Sequence, residues 1–184
     1  MLSKAAVPWV VLSLVMASCR APRPSATELG ANAPNSIRLE TTAFVTGSTI
    51  PALYTCDGQD VSPPLTWSGG PSADEYALIV VDRDAPRGEF VHWVVFKISP
   101  TASASPQGGP PQGGVEGENG FGSAGYGGPC PPSGDPPHRY VFTIYALGPG
   151  GSEGLAAGAS LDEVADAIGC CIRATGSLTG TYSR

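Results

Sequence analysis

The sequence predicts a mainly β protein: an antiparallel β-sandwich with a few short helices and a long Gly/Pro-rich loop. Three observations point there. The 25 glycines and 19 prolines among 184 residues are too many for long helices, because both residue types destabilise a helix interior. Residues 76–81, 90–98 and 139–147 form three nearly continuous apolar runs, the pattern of strands covered on both faces. Hydrophobic residues at 41% and aromatic residues at 8% supply a core and argue against disorder. The length allows one domain with short additions.

Residues 1–18 read as a lipoprotein signal peptide. Lys4 gives a positive start, and residues 5–17 are apolar and uncharged. That run matches a signal core of about 7–15 residues and falls short of the ~20 needed to span a bilayer. It ends in Met16-Ala17-Ser18-Cys19, which looks like a bacterial lipobox whose cysteine is lipidated and becomes the mature N-terminus. An ordinary secretory cleavage nearby is the alternative. Either route exports the chain and permits disulfides. Arg20 follows Cys19, where Asp is absent, so a two-membrane cell would send the protein to the periplasmic face of its outer membrane. Residues 19–36, with Pro22, Pro24 and Pro34 and no apolar period, read as a flexible tether. The folded domain is expected over residues 37–184.

Within that domain, residues 37–41 alternate and predict an outer strand. Ser62-Pro63-Pro64 breaks the chain before Leu65-Thr66-Trp67. The run 76–81 ends in Asp82, the run 90–98 carries His92 and Trp93, and the run 139–147 follows His138. Residues 108–134 hold eleven glycines. They also hold Phe121 and Tyr126, which a plain linker does not need, so the segment is expected as an ordered loop within one domain. Ser160 and Glu163 have capping-box spacing. Leu161, Val164, Ala165 and Ile168 then share a helix face, and Gly169 stops the helix. Residues 178–182 read as a late strand.

The charge of −6 with a pI near 4.7 excludes phosphate-backbone binding, so no nucleic acid is expected. No nucleophile elbow, His-Glu-x-x-His or phosphate-binding loop is present. Asp57-Gly58-Gln59-Asp60 lacks the acidic ladder of a calcium loop. Accordingly no catalytic residue, metal or cofactor is assigned, although a Ser–His–Asp set is spatial and stays open.

The only histidines are His92 and His138. Each adjoins an apolar strand and follows an acidic or proline-rich loop. If both loops meet at one edge of the sandwich, His92, His138, Asp82, Asp84 and Tyr140 line a small polar pocket. The alternative is two histidines satisfied separately. Besides Cys19 there are Cys56, Cys130, Cys170 and Cys171, which allow three pairings. Adjacency counts against Cys170–Cys171, since neighbouring Cα atoms lie ~3.8 Å apart and disulfides favour ~4.4–6.8 Å. The other pairings must tie both Cys56 and Cys130 to that one segment. The residues alone leave this open.

Several motifs together resemble the phosphatidylethanolamine-binding protein family, in its bacterial Raf-kinase-inhibitor-like branch. They are Tyr54-Thr55-Cys56-Asp57-Gly58, Ser62-Pro63-Pro64-Leu65-Thr66-Trp67, Asp82-Arg83-Asp84-Ala85-Pro86, Val91-His92-Trp93, Gly125-Tyr126-Gly127-Gly128-Pro129-Cys130-Pro131-Pro132, His138-Arg139-Tyr140-Val141-Phe142 and Gly180-Thr181-Tyr182-Ser183-Arg184. The resemblance implies an antiparallel β-sandwich with a pocket for phosphate-like head groups. Position by position it implies ligand-binding roles for Asp82, Asp84, His92, Cys130, Pro132, His138 and Tyr140. Imidazoles, a phenol and backbone N–H groups would donate to phosphate oxygens; the aspartates would orient the imidazoles or accept from an ammonium group. Cys56 and Cys130 both sit in motifs beside that pocket. A Cys56–Cys130 bridge is therefore expected, with Cys170 and Cys171 reduced or only transiently joined. The chain departs from the family pattern at Arg83, where a proline is usual, at Lys97-Ile98-Ser99, and at Cys171, where many relatives carry histidine.

The expected function is an exported, lipid-anchored pocket protein that binds a small anionic ligand or phospholipid head group without catalysis. Its contact with the membrane would run through lipidated Cys19, and its protein partner is unassigned. An envelope hydrolase or a protease inhibitor is the alternative.

Overall fold

The computed structural model describes Ser25, Ala26 and residues 28–184. The expected signal peptide and Cys19 lie outside the described residues. Strands β1 (Ile37–Glu40), β2 (Leu65–Gly69) and β5 (Ala104–Ser105) form a small antiparallel sheet in the order β1-β2-β5. A larger antiparallel sheet has the order β6-β4-β3-β7-β8. Its members are β6 (Val115–Glu116), β4 (Phe90–Ile98), β3 (Glu75–Asp82), β7 (His138–Leu147) and β8 (Ile172–Tyr182). The mainly β sandwich expected from the sequence is the fold observed.

The three apolar runs become β3, β4 and β7, at the centre of the large sheet. Residues there alternate between two apolar layers. Leu78, Val80, Trp93, Val95, Phe142 and Ile144 pack toward the small sheet with Leu39, Leu65 and Trp67. Ala77, Ile79, Val94, Phe96 and Leu147 pack on the opposite face against helix α1 (Leu161–Ile168) through Val164 and Ile168. Both faces of these strands are therefore covered, which is why their sequences run apolar rather than alternate. The capping box on α1 is present, with Ser160 Oγ accepting from Glu163 N and the Glu163 carboxylate accepting from Ser160 N.

Two boundaries differ from the sequence reading. The described part of the expected tether is docked rather than flexible. Leu29 is buried against the α1 layer, and Pro34 accepts from Thr175 N at 2.9 Å. Lone apolar residues among prolines give no periodic signal, so this packing is invisible in the sequence. The late strand also begins earlier, at Ile172, because Gly176 and Gly180 do not break it. They are where the small sheet and its loops approach: a Cβ on Gly176 would lie 2.1 Å from Ile37 O, and one on Gly180 2.5 Å from Ile50.

The glycine-rich segment is an ordered loop of the same domain. β6 pairs with β4 inside it. Gly120 N donates to Val91 O at 2.8 Å and Gly127 N to His92 O at 2.9 Å. The Cys56–Cys130 bridge forms as expected, with Cα atoms 5.4 Å apart. Cys170 and Cys171, expected as reduced or only transiently joined, are joined here as well. The tight turn between α1 and β8 brings the two adjacent side chains together.

Candidate functional site

β3 ends, β7 begins, β4 begins and β8 ends at one edge of the large sheet. Asp82 lies opposite Tyr140 and Phe90 in the register, and His138 opposite Tyr182. In β4 the register jumps: Val80 faces Trp93 and Val81 faces Val91. His92 is the extra residue of a β-bulge, a device that re-aims one side chain. Its ring comes within 5.1 Å of Tyr140 and 5.2 Å of Phe90, centroid to centroid.

Asp82, His92 and His138 are buried, at 4%, 3% and 4% exposure. They line one cavity of about 710 Å³, with Arg87, Glu89, Phe90, Phe121 and the Cys130–Pro132 turn forming the rest of its wall. Each imidazole is fixed through Nδ1. His138 Nδ1 lies 2.7 Å from Asp82 Oδ2. His92 Nδ1 lies 2.6 Å from Gly127 O. A carbonyl only accepts, so His92 Nδ1 carries the proton. In both rings Nε2 is left for a ligand; for His138 the nearest carboxylate oxygen to it, on Asp135, is 3.7 Å away. Burial pushes the His92 pKa below 6.5, opposed by the Gly127 carbonyl and the Asp82 charge. Without a ligand this ring is neutral at pH 7.

Both oxygens of Asp82 are engaged within the protein. Its Oδ1 accepts from Asp84 N at 2.8 Å and its Oδ2 is taken by His138. It orients and does not donate. Asp84 does not join the pocket. Its carboxylate accepts from Arg139 N, Nε and Nη2 at 2.8, 2.8 and 2.6 Å. The Arg139 hydrogen bonds hold its pKa at about 2 despite partial burial. β3 has already ended at Asp82, so strand alternation no longer aims Asp84 inward.

Tyr140 also departs from the expected role. It is fully buried and does not line the cavity; it underlies His92, and its hydroxyl has no hydrogen-bond partner. Burial, then the Asp82 charge, pushes the phenol pKa far up and keeps it protonated. Cys130 and Pro132 do line the cavity. Prolines have no N–H, however, so this turn shapes a wall and offers few donors.

Sequence reading missed Arg87, Glu89, Phe90 and the Gly127 carbonyl. Arg87 follows directly on a recognised motif and was legible as a candidate cation. A carbonyl has no side-chain signal at all. Arg83, the unusual residue of the same motif, lines a cleft on the opposite face with Leu29 and Val141.

Comparison with known proteins agrees with this fold. Residues 40–183 match the family model for phosphatidylethanolamine-binding protein. The chain belongs to that family. It is 42% identical to a UPF0098 protein of Methanothermobacter thermautotrophicus over 154 residues, 80% of this chain and 99% of the relative. It is 39% identical to a Mycobacterium tuberculosis protein named "Putative lipoprotein LppC", covering 86% of this chain and 80% of the relative. Among solved structures it is similar to Escherichia coli YbcL, a member of the family, with a TM-score of 0.74 and 32% identity over 81% of this chain and 99% of that one.

Proposed function

We propose that this protein binds a small phosphate-bearing anion, such as a phospholipid head group, in the cavity between His92 and His138, and does so without catalysis. One observation carries the reading: three polar side chains are buried together, and the Nε2 atoms of two of them are spared by the protein's own hydrogen bonds. Burying polar groups is costly unless they are satisfied, and an anion would accept from both Nε2 atoms once its binding has brought a proton to His92. Arg87 at the rim adds a cation. The absence of turnover is supported by the wall, whose residues include no hydroxyl side chain and only a disulfide-bonded cysteine. The membrane part of the reading is a lipid on Cys19 and residence on the periplasmic face of an outer membrane. It is supported by the lipobox-like Met16-Ala17-Ser18-Cys19 and by the lipoprotein name of one relative.

Calorimetry with phosphate and phosphoethanolamine tests the binding. Wild type should take up both, and a His92→Ala/His138→Ala double variant should lose both; equal affinity in the two proteins sinks the assignment. Release of p-nitrophenol from a generic ester that disappears in His92→Ala would sink the non-catalytic part. Intact mass of the membrane fraction, with or without added acyl groups on Cys19, decides the anchor.

A further inference from the structure

The two disulfides among the described residues differ in what they can contribute. Cys56–Cys130 closes a sequence separation of 74 and so removes loop entropy from the unfolded chain. Its Cα separation of 5.4 Å is in the range such bonds favour. Cys170–Cys171 closes a separation of 1, no loop at all, and stabilises nothing by that route. The single peptide between its halves holds the Cα atoms 3.8 Å apart, below the favoured range of ~4.4–6.8 Å, which makes such a bond easier to reduce.

Its surroundings fit a bond that opens. Cys170 is exposed and Cys171 half-buried, in the turn between α1 and β8. The backbone of that turn is held by other means. Cys171 N donates to Ile168 O at 2.9 Å, and Cys171 O accepts from Gly148 N at 2.7 Å. Opening the sulfur–sulfur bond breaks neither. The turn is also remote from the anion cavity: β7 starts there at His138 and ends at Leu147, next to Gly148, roughly 30 Å away at a strand's rise.

We propose that Cys170–Cys171 is a thiol–disulfide exchange site that takes an electron pair from a protein dithiol in the exported compartment. The partner's thiolate attacks Sγ of Cys170, the exposed sulfur. The Cys170–Cys171 bond breaks, and Cys171 leaves as a thiolate that takes up a proton. The partner's second thiolate attacks the mixed disulfide and releases Cys170, which is protonated in turn. One sulfur–sulfur bond is lost here and one is formed in the partner. The proposal rests on export of the chain and not on the anion pocket.

The test uses the oxidised full-length protein, treated with graded dithiothreitol, quenched in acid, alkylated and mapped by peptide mass. Cys170 and Cys171 should become alkylated at about a tenfold lower dithiothreitol concentration than Cys56 and Cys130, with the melting temperature unchanged after that first step. A Cys170→Ser/Cys171→Ser variant should lose the early step and keep the late one. The proposal is overturned if both bridges open together, if Cys56–Cys130 opens first, or if Cys170 and Cys171 are alkylated before any reductant is added.

Discussion

The two walls of the cavity between His92 and His138 are built on different principles. The strand wall carries His138, held by Asp82 across two central, fully paired strands. The loop wall holds His92 from outside the sheet, by the carbonyl of Gly127 in a segment that approaches β4 only because it lacks side chains. A Cβ on Gly127 would lie 2.6 Å from the Phe121 ring, and one on Gly120 2.6 Å from that of Phe90. One imidazole is thus oriented by charge and register, the other by close backbone packing. The first wall should tolerate surface changes, and the second should fail when a single methyl group is added.

The harshest way to break the loop wall is Gly128→Val. Its Cβ would sit 2.4 Å from Tyr54 O and 2.5 Å from Asp60 Oδ1, the atom that accepts Gly128 N at 2.6 Å. Urea unfolding should show a loss of about 3 kcal/mol or more, in the range of severe core disruption, with sulfate binding abolished. Wild-type stability in this variant would mean that the loop is not packed as described.

Next in size are the single histidine variants. His92→Ala and His138→Ala should each weaken sulfate binding about tenfold, equivalent to ~1.4 kcal/mol, by calorimetry. If only one does so, the anion rests on one wall alone.

The walls should also separate by pH. His92 is held neutral in the folded protein, with its pKa below 6.5. Acid protonates the unfolded chain first, so the stability it contributes is complete above about pH 6.5 and drains as pH falls toward the depressed value. Sulfate reverses the preference, because a bound anion favours the imidazolium. Its affinity should therefore rise as pH drops below 6.5, and sulfate keeps its charge throughout. In His92→Ala both slopes should flatten; unchanged slopes would assign them to another group.

The mildest change sharpens the contrast from outside the site. Asp84→Asn removes the ion pair with half-exposed Arg139. It should cost about 1 kcal/mol, the scale of well-formed surface pairs, and leave sulfate affinity alone. The loss should vanish as the wild type is acidified from pH ~4 toward 2, because the folded pKa of Asp84 is about 2. Weakened binding would return Asp84 to the pocket.

Legibility in the sequence followed the same division. The runs that became β3, β4 and β7, the capping box of α1 and the Cys56–Cys130 bridge were readable, because period, spacing and family motifs all report on regular structure. Asp82, His92 and His138 were readable for the same reason. Asp84 and Tyr140 were misjudged through geometry: one lies two residues beyond the point where its strand stops alternating, the other one layer too deep. Leu29 and the Gly127 carbonyl were out of reach. Their roles depend on which surfaces meet, and no local pattern records that.

The bulge at His92 divides β4 into two stretches that answer to different selective demands. Beyond it, Trp93 through Phe96 keep the alternation that fills both apolar layers. Before it, Phe90 is placed on the cavity side by the inserted residue. Deleting that one residue would swap inside for outside in the first stretch while leaving the second in phase. Ligand preference and foldability can therefore drift independently along a single strand, and a relative could exchange what it binds by editing three residues without repacking its interior.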